Sequence, residues 1–141
     1  MLKQRLITLK SRQPTQGRGE PEQRYQALPS APYAQVPLGV LVNHYSASAA
    51  EVLAGAFQDH KRAVVIGESS YGKGSVQKLW PIADGHAIKL TVARYYTPKG
   101  RLIEGKGIIP DILIKDEPVA ASVDATLDNS VSMLRKYYQL P

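Results

Sequence analysis

The sequence predicts a mixed α/β domain, and three observations carry that reading. A short apolar run, an amphipathic stretch and a second apolar run succeed one another between Leu38 and Ile66. Two strand-like segments flank Asp84-Gly85, and apolar residues recur at helical steps towards the C-terminus. Of the 141 residues 43% are hydrophobic and 21% charged, which suits one ordinary core rather than a disordered chain or a disulfide scaffold.

Taken in order, Leu6 to Leu9 forms a short strand. Ser11 to Pro37, rich in Pro, Gln, Gly, Ser and Arg, reads as a long loop or arm with little core of its own. Leu38-Gly-Val-Leu-Val42 is a continuous apolar run of strand length that ends at Asn43. Ala49, Val52, Leu53, Ala56 and Phe57 then fall at the i, i+3, i+4, i+7, i+8 spacing of an amphipathic helix. Ala63-Val-Val-Ile66 is a second buried strand, so the segment is a βαβ unit with its strands parallel and its helix crossing one face.

Beyond Gly67 the pattern becomes antiparallel. Ser75 to Ala83 and His86 to Tyr96 pair across Asp84-Gly85, a strong hairpin turn, and Ile88, Leu90 and Val92 alternate at period two. Thr97-Pro-Lys-Gly100 is a further turn, leading through Arg101-Leu-Ile103 into the glycine-rich Glu104 to Gly107. Ile108 to Ile114, interrupted by Pro110, reads as an edge strand. Val123, Leu127, Val131, Leu134 and Tyr138 suggest a terminal helix. The expected organisation is an N-terminal strand and flexible arm over 1–36, a core over 37–115, and a linker with a helix over 116–141.

Composition removes several function classes. Without cysteine there is no zinc-thiolate site, iron-sulfur cluster or thiol nucleophile, and His44, His60 and His86 lack metal-ligand spacing, so no cofactor is expected. The net charge of +6 raises nucleic acid as a partner, but the basic residues are scattered from Lys3 to Lys136 without aromatic interleaving, and that reading is disfavoured. Nowhere do about eighteen apolar residues follow one another, and Met1 to Thr15 has no apolar run of signal-peptide length. The chain as given reads as soluble, with no transmembrane segment and no export signal.

Two segments carry candidate chemistry. Asn43-His-Tyr-Ser46-Ala-Ser48-Ala-Ala-Glu51 joins a buried parallel strand to a helix, the place where ligands and reactive groups collect in open α/β sheets. A serine there sits beside helix N-terminal amides suited to a developing oxyanion. Ser48-Ala-Ala-Glu51 is equally a capping box, and spacing alone favours the cap. The second segment, Gly67-Glu-Ser-Ser-Tyr-Gly72-Lys73-Gly74, nearly matches a phosphate loop. Gly74 stands where the magnesium-binding hydroxyl belongs, and the residues that follow look β rather than helical, so nucleotide binding is rejected. Glycines on both sides of Lys73 let a neighbouring chain approach closely. A lysine turned inward there and desolvated becomes a base able to take a proton from a serine, whereas a solvated loop lysine is the simpler reading of the residue type alone.

A resemblance joins these segments. Pro37 to Ile114 resembles the C-terminal half of the protease domain of the carboxyl-terminal processing peptidases, or tail-specific proteases. The matching stretches are Val42 to Glu51, Ala54-Gly-Ala-Phe-Gln-Asp59, Gly67-Glu68 with Gly72-Lys-Gly-Ser-Val-Gln77, Leu90 to Gly100, and Gly105-Lys-Gly-Ile-Ile-Pro-Asp111. The resemblance implies a partial ClpP/crotonase-like β-β-α superhelical fold and a serine endopeptidase acting near the C-termini of protein or peptide substrates. It places Ser48 at the nucleophile, Lys73 at the general base 25 positions later, and Gln77 as the residue orienting that lysine. Asp59 falls at a supporting acidic position. A carboxylate near a helix C-terminus needs a cationic or hydrogen-bonding partner, and Lys61 or Arg62 is the nearest in sequence. Ala49, the residue after the nucleophile, supplies one oxyanion-hole amide. The glycine-rich segment that would supply the other is not found, and the chain is expected to begin after it. These features imply a truncated form with weak or no activity alone, sheet edges open to self-association, and an extracytoplasmic or periplasmic setting. A catalytically silent peptide-binding or assembly module of the same fold is the alternative.

Overall fold

The computed structural model describes residues 5–11, 23–26, 36–114 and 125–141, and side chains within 36–114 and 127–141. The functional segments hang on a small parallel sheet. Its strands β3 (Gly39–Val42), β4 (Val64–Gly67) and β7 (Ile112–Leu113) lie in the order β3-β4-β7 with both pairings parallel, and α1 (Ala49–Asp59) links the first two. Val40 lies opposite Val65 and Leu41 opposite Ile66. Every residue of β4 is buried, as an unbroken apolar run in a central parallel strand requires.

The second sheet is antiparallel, in the order β2-β1-β6-β5, from β1 (Arg5–Ser11), β2 (Gln23–Gln26), β5 (Ser75–Pro81) and β6 (Ala87–Tyr96). The hairpin turns at Asp84-Gly85, with φ of 61° and 74° at these two residues, but the predicted two-residue turn is corrected: Ala83–Gly85 forms a short 3-10 turn, the strands stop at Pro81 and resume at Ala87, and the Ile82 amide donates to the His86 carbonyl across it. The expectation of a loop throughout Ser11 to Pro37 is corrected: Gln23-Arg-Tyr-Gln26 is a strand paired with β1. Four residues with a single aromatic give too short a periodic signal to separate from a loop. Ile88 and Leu90 alternate as predicted but are exposed, so their face is not part of the core.

The buried face of α1 also differs from the predicted stripe. Glu51, Ala54, Gly55, Ala56 and Asp59 are buried, whereas Ala49 and Leu53 are exposed. Two forces turn the helix. The carboxylates at either end are drawn inward by hydrogen-bond donors, and Gly55 admits Thr97 and Ile108 so closely that an added Cβ would stand 2.8 Å from Thr97 Cγ2. The core gathers Val42, Ala54, Val65, Ile103 and Ile108, with Val40, Val52 and Tyr95 against it. Ile108 therefore packs in the core rather than in the predicted strand Ile108 to Ile114, of which only Ile112–Leu113 pairs, at the sheet edge.

The terminal helix is α2 (Ala125–Tyr138). Leu134 abuts Gly39, and the Tyr138 hydroxyl donates to the Leu38 carbonyl at 3.1 Å. Leu127 and Val131 remain exposed, and Val123 lies outside the described residues. Among the described residues no helix is long and apolar enough to cross a membrane.

Candidate active site

The chain leaves β3 through a tight turn. Asn43 Oδ1 accepts the Tyr45 amide at 3.1 Å, its carbonyl accepts the Ser46 amide at 2.9 Å, and Ser46 Oγ accepts the Asn43 amide at 3.1 Å. Side-chain oxygens of this kind substitute for strand hydrogen bonds and end the strand. Ser48 follows with φ 58° and ψ −115°, a conformation that costs a non-glycine residue about 1–3 kcal/mol and persists only where neighbours fix it. A serine on a strained strand-to-helix turn has the geometry of a nucleophile elbow.

Glu51 does the fixing. Its side chain is wholly buried, and Oε2 accepts the Ser48 amide at 2.7 Å, which is the glutamate half of the predicted capping box. The same Oε2 accepts the Lys73 amide at 2.8 Å, while Oε1 accepts the Gly72 amide and the Ser70 hydroxyl, each at 2.6 Å. Four donors offset the desolvation of a buried carboxylate. The backbones of Ser48 and Lys73 therefore share one acceptor atom, and their nitrogens are no further apart than those two bonds laid end to end. The Ser46 carbonyl accepts the Tyr71 amide at 3.0 Å, and His44 Nδ1 meets Glu68 Oε2 at 3.2 Å, joining the two loops at further points. Sequence reasoning found Glu51 only as a cap. Its other three partners lie 19 to 22 positions away, beyond the reach of any local pattern.

The loop carrying Lys73 is pressed onto residues 104–108. A Cβ on Gly74 would collide with the Glu104 amide, and one on Gly72 would stand 3.0 Å from the Gly107 nitrogen. Glu104 Oε2 accepts the Gly74 amide at 2.7 Å, and the Gly72 carbonyl accepts the Gly105 amide at 2.9 Å. The close approach expected of the two glycines is present. The inward, water-free setting expected of Lys73 is not, since its side chain is exposed. The reason is steric: Glu51 draws the Lys73 amide inward and both flanking glycines pack on the neighbouring loop, which leaves the side chain the outer face. Among the described residues no hydrogen bond joins the Ser48 hydroxyl to the Lys73 amine. Gln77 lies on β5 opposite Thr91, just past a register shift, and is exposed. Ala49 opens α1 and is exposed.

Asp59 sits at the far end of α1, buried. The Lys99 amide donates to Oδ2 at 2.8 Å, and Arg101 Nη2 pairs with Oδ1. Burial is the largest influence on this carboxyl and pushes it up. Hydrogen bonds from Thr97, the Lys99 amide and Arg101, with the charge of Arg101, outweigh it and hold the group below the usual carboxylate range. The partner needed at a helix C-terminus exists, but it is Arg101 from a distant turn rather than Lys61 or Arg62. Arg101 also donates to Gln58 Oε1 at 2.8 Å, Gln58 Nε2 donates to Asp111 Oδ1 at 3.0 Å, and Asp111 Oδ2 accepts the Val65 amide at 2.9 Å. This network ties the end of α1 to the central strand.

Residues 2–114 match peptidase family S41. A carboxy-terminal-processing protease of Bartonella bacilliformis is 54% identical over 79 residues, covering 56% of this chain and 18% of that protein. Carboxyl-terminal-processing peptidase 2, chloroplastic, of Arabidopsis thaliana is 52% identical over 75 residues, covering 53% of this chain and 15% of that protein. The chain thus spans about a fifth of the length of the curated relatives it matches. Among solved structures, the photosystem II D1 C-terminal processing protease superposes with a TM-score of 0.70 and 35% identity, over 88% of this chain and 30% of that one. A lipoprotein from Streptococcus agalactiae shares the fold alone, with a TM-score of 0.67 at 19% identity over 96% of this chain and 46% of that one.

Proposed function

The chain belongs to peptidase family S41, and on that premise we propose that it is the site-bearing part of a serine endopeptidase that cleaves protein or peptide substrates near their C-termini, on a ClpP/crotonase-like scaffold. The observation that carries the reading is the Glu51 carboxylate, which holds the strained Ser48 turn and the Lys73 backbone on one oxygen. Ser48 also caps α1 in a box with Glu51, but capping alone does not call for the strained φ of 58°, which the shared carboxylate holds in place.

In the proposed reaction Ser48 Oγ attacks the scissile carbonyl carbon as its proton passes to the Lys73 amine. The carbonyl oxygen becomes an oxyanion facing the Ala49 amide. The tetrahedral adduct collapses as the Lys73 ammonium gives its proton to the departing amine, and Lys73 then deprotonates the water that releases the acyl group. Gln77 orients Lys73 once the loop is covered. The water now reaching Lys73 is displaced when a peptide lies between the two loops, which supplies the shelter the free chain lacks. An oxyanion donor is worth about 3–4 kcal/mol, and with only the Ala49 amide identified the isolated chain turns over slowly. Chloroplastic relatives support an extracytoplasmic setting, and self-association through sheet edges belongs to the same proposal.

The exposure of Lys73 and its lack of contact with the Ser48 hydroxyl favour a second reading, a silent peptide-binding module of the same fold. Incubating the chain in excess over an unstructured peptide, with mass spectrometry of the products, separates the two. Endopeptidase function gives slow cleavage that is lost in Ser48→Ala and falls at least about a hundredfold in Lys73→Ala. Binding without cleavage, unchanged in both variants, supports the silent module.

A further inference from the structure

A cleft of about 610 Å³ opens beside the C-terminal end of α1. It lies at the other end of an 11-residue helix from Ser48, about 16 Å along the axis. Ala63 and Val64 contribute to its apolar wall, as does Tyr137, which meets Tyr138 edge-on with ring centroids 5.1 Å apart. Lys61, Lys99 and Arg101 bring positive charge to the same space.

The two kinds of charge in this cleft are unequally satisfied. Asp59 is held by Arg101 and the Lys99 amide, and Asp111 accepts from Val65 and Gln58. No described carboxylate pairs with the ammonium of Lys61 or of Lys99. Arg101 engages both Asp59 and Gln58 through Nη2, and the residue lines the cleft and is exposed. The carbonyls that end α1 are capped as well, Phe57 by the Arg62 amide at 2.9 Å and Gln58 by the Lys61 amide at 3.0 Å, so little of the helix's negative end faces the cleft. Lys61 makes that cap with φ 54°, in the position and conformation where glycine is the usual residue. Lys61 is exposed and lines the cleft.

We propose that this cleft is a second binding site, separate from Ser48 and Lys73, for a small oxyanion carried on a partly apolar body. Either a peptide α-carboxylate or a phosphate supplies that chemistry. The cleft's volume accommodates a ligand of two or three residues, and the net charge of +6 favours approach of an anion. This inference does not depend on the protease reading, because it uses none of the residues assigned there to the reaction.

The test follows amide and side-chain resonances of the whole ¹⁵N-labelled chain at constant ionic strength. Titrants are N-acetyl-Ala-Ala with a free carboxylate, the same peptide as its C-terminal amide, inorganic phosphate, and sodium chloride alone. Expected are saturable shifts centred on Lys61, Lys99, Arg101 and Tyr137 with the acid, with phosphate or with both, and none with the amide or the chloride. Which of the two anions saturates at the lower concentration identifies the source. The double variant Lys61→Ala/Lys99→Ala, whose spectrum elsewhere reports an intact fold, should bind at least tenfold more weakly. Shifts that never saturate, that the amide or chloride reproduces, or that survive in the double variant overturn the proposal.

Discussion

Glu51 and Asp59 are acidic residues of one helix, and the structure gives them different work. Glu51 satisfies four donors from two loops, so Glu51→Ala leaves several polar groups unpaired at about 1–3 kcal/mol each and should lower unfolding free energy by more than about 3 kcal/mol in urea. Glu51→Gln should cost less, because its carbonyl oxygen still accepts while its amide nitrogen opposes donors. Asp59 contributes to acid stability. Its carboxyl is held below the ordinary value, so the unfolded chain binds the proton more readily. The stabilisation it gives is therefore complete above the unfolded pKa, near 3.9, and is lost as pH falls through the lower folded value. Urea titrations between pH 6 and pH 2.5 should show wild-type stability falling over that range more steeply than that of Asp59→Asn, which is the weaker protein at neutral pH.

The elements most legible in the sequence are those whose determinants are local. The βαβ unit and the hairpin follow from apolar runs and an Asp-Gly turn, each complete within a few tens of residues. What the pattern misses is set by distant partners. The buried face of α1 is turned by hydrogen bonds from Ser70, Gly72, Lys73 and Lys99, and β2 exists because β1 offers it an edge. The loop from Gly67 to Gly74 shows both sides. Its glycines announce a close approach, yet which chain approaches is fixed only by the fold. Gly74→Ala should accordingly destabilise the chain by about 1–3 kcal/mol and displace Lys73, because its Cβ meets the backbone at Glu104 rather than a yielding side chain. Denaturant melts, with hydrogen exchange at the Gly72 and Lys73 amides, check both effects. Unchanged exchange at these amides would place the packing of this loop elsewhere.

Across the molecule, a small parallel sheet presents one end of a helix to two loops and the other end to a charged cleft, and α1, the central strand and the segment from Thr97 to Ile108 all run between the two ends. Ser48 and Lys73 were readable as candidates because strand ends collect reactive groups and because several motifs occur in order. The outward course of the Lys73 side chain was not readable, since nothing in Gly-Lys-Gly encodes which face the neighbouring loop will occupy. The central claim is that this scaffold activates the Ser48 hydroxyl through Lys73. The most direct measurement is the rate of covalent labelling by a serine-directed fluorophosphonate, with the modified residue located by peptide mass spectrometry in wild type and in Lys73→Ala. The account predicts a single adduct on Ser48 whose formation slows at least about tenfold without Lys73. An adduct spread over exposed serines, or one on Ser48 that forms equally fast in the variant, would contradict it.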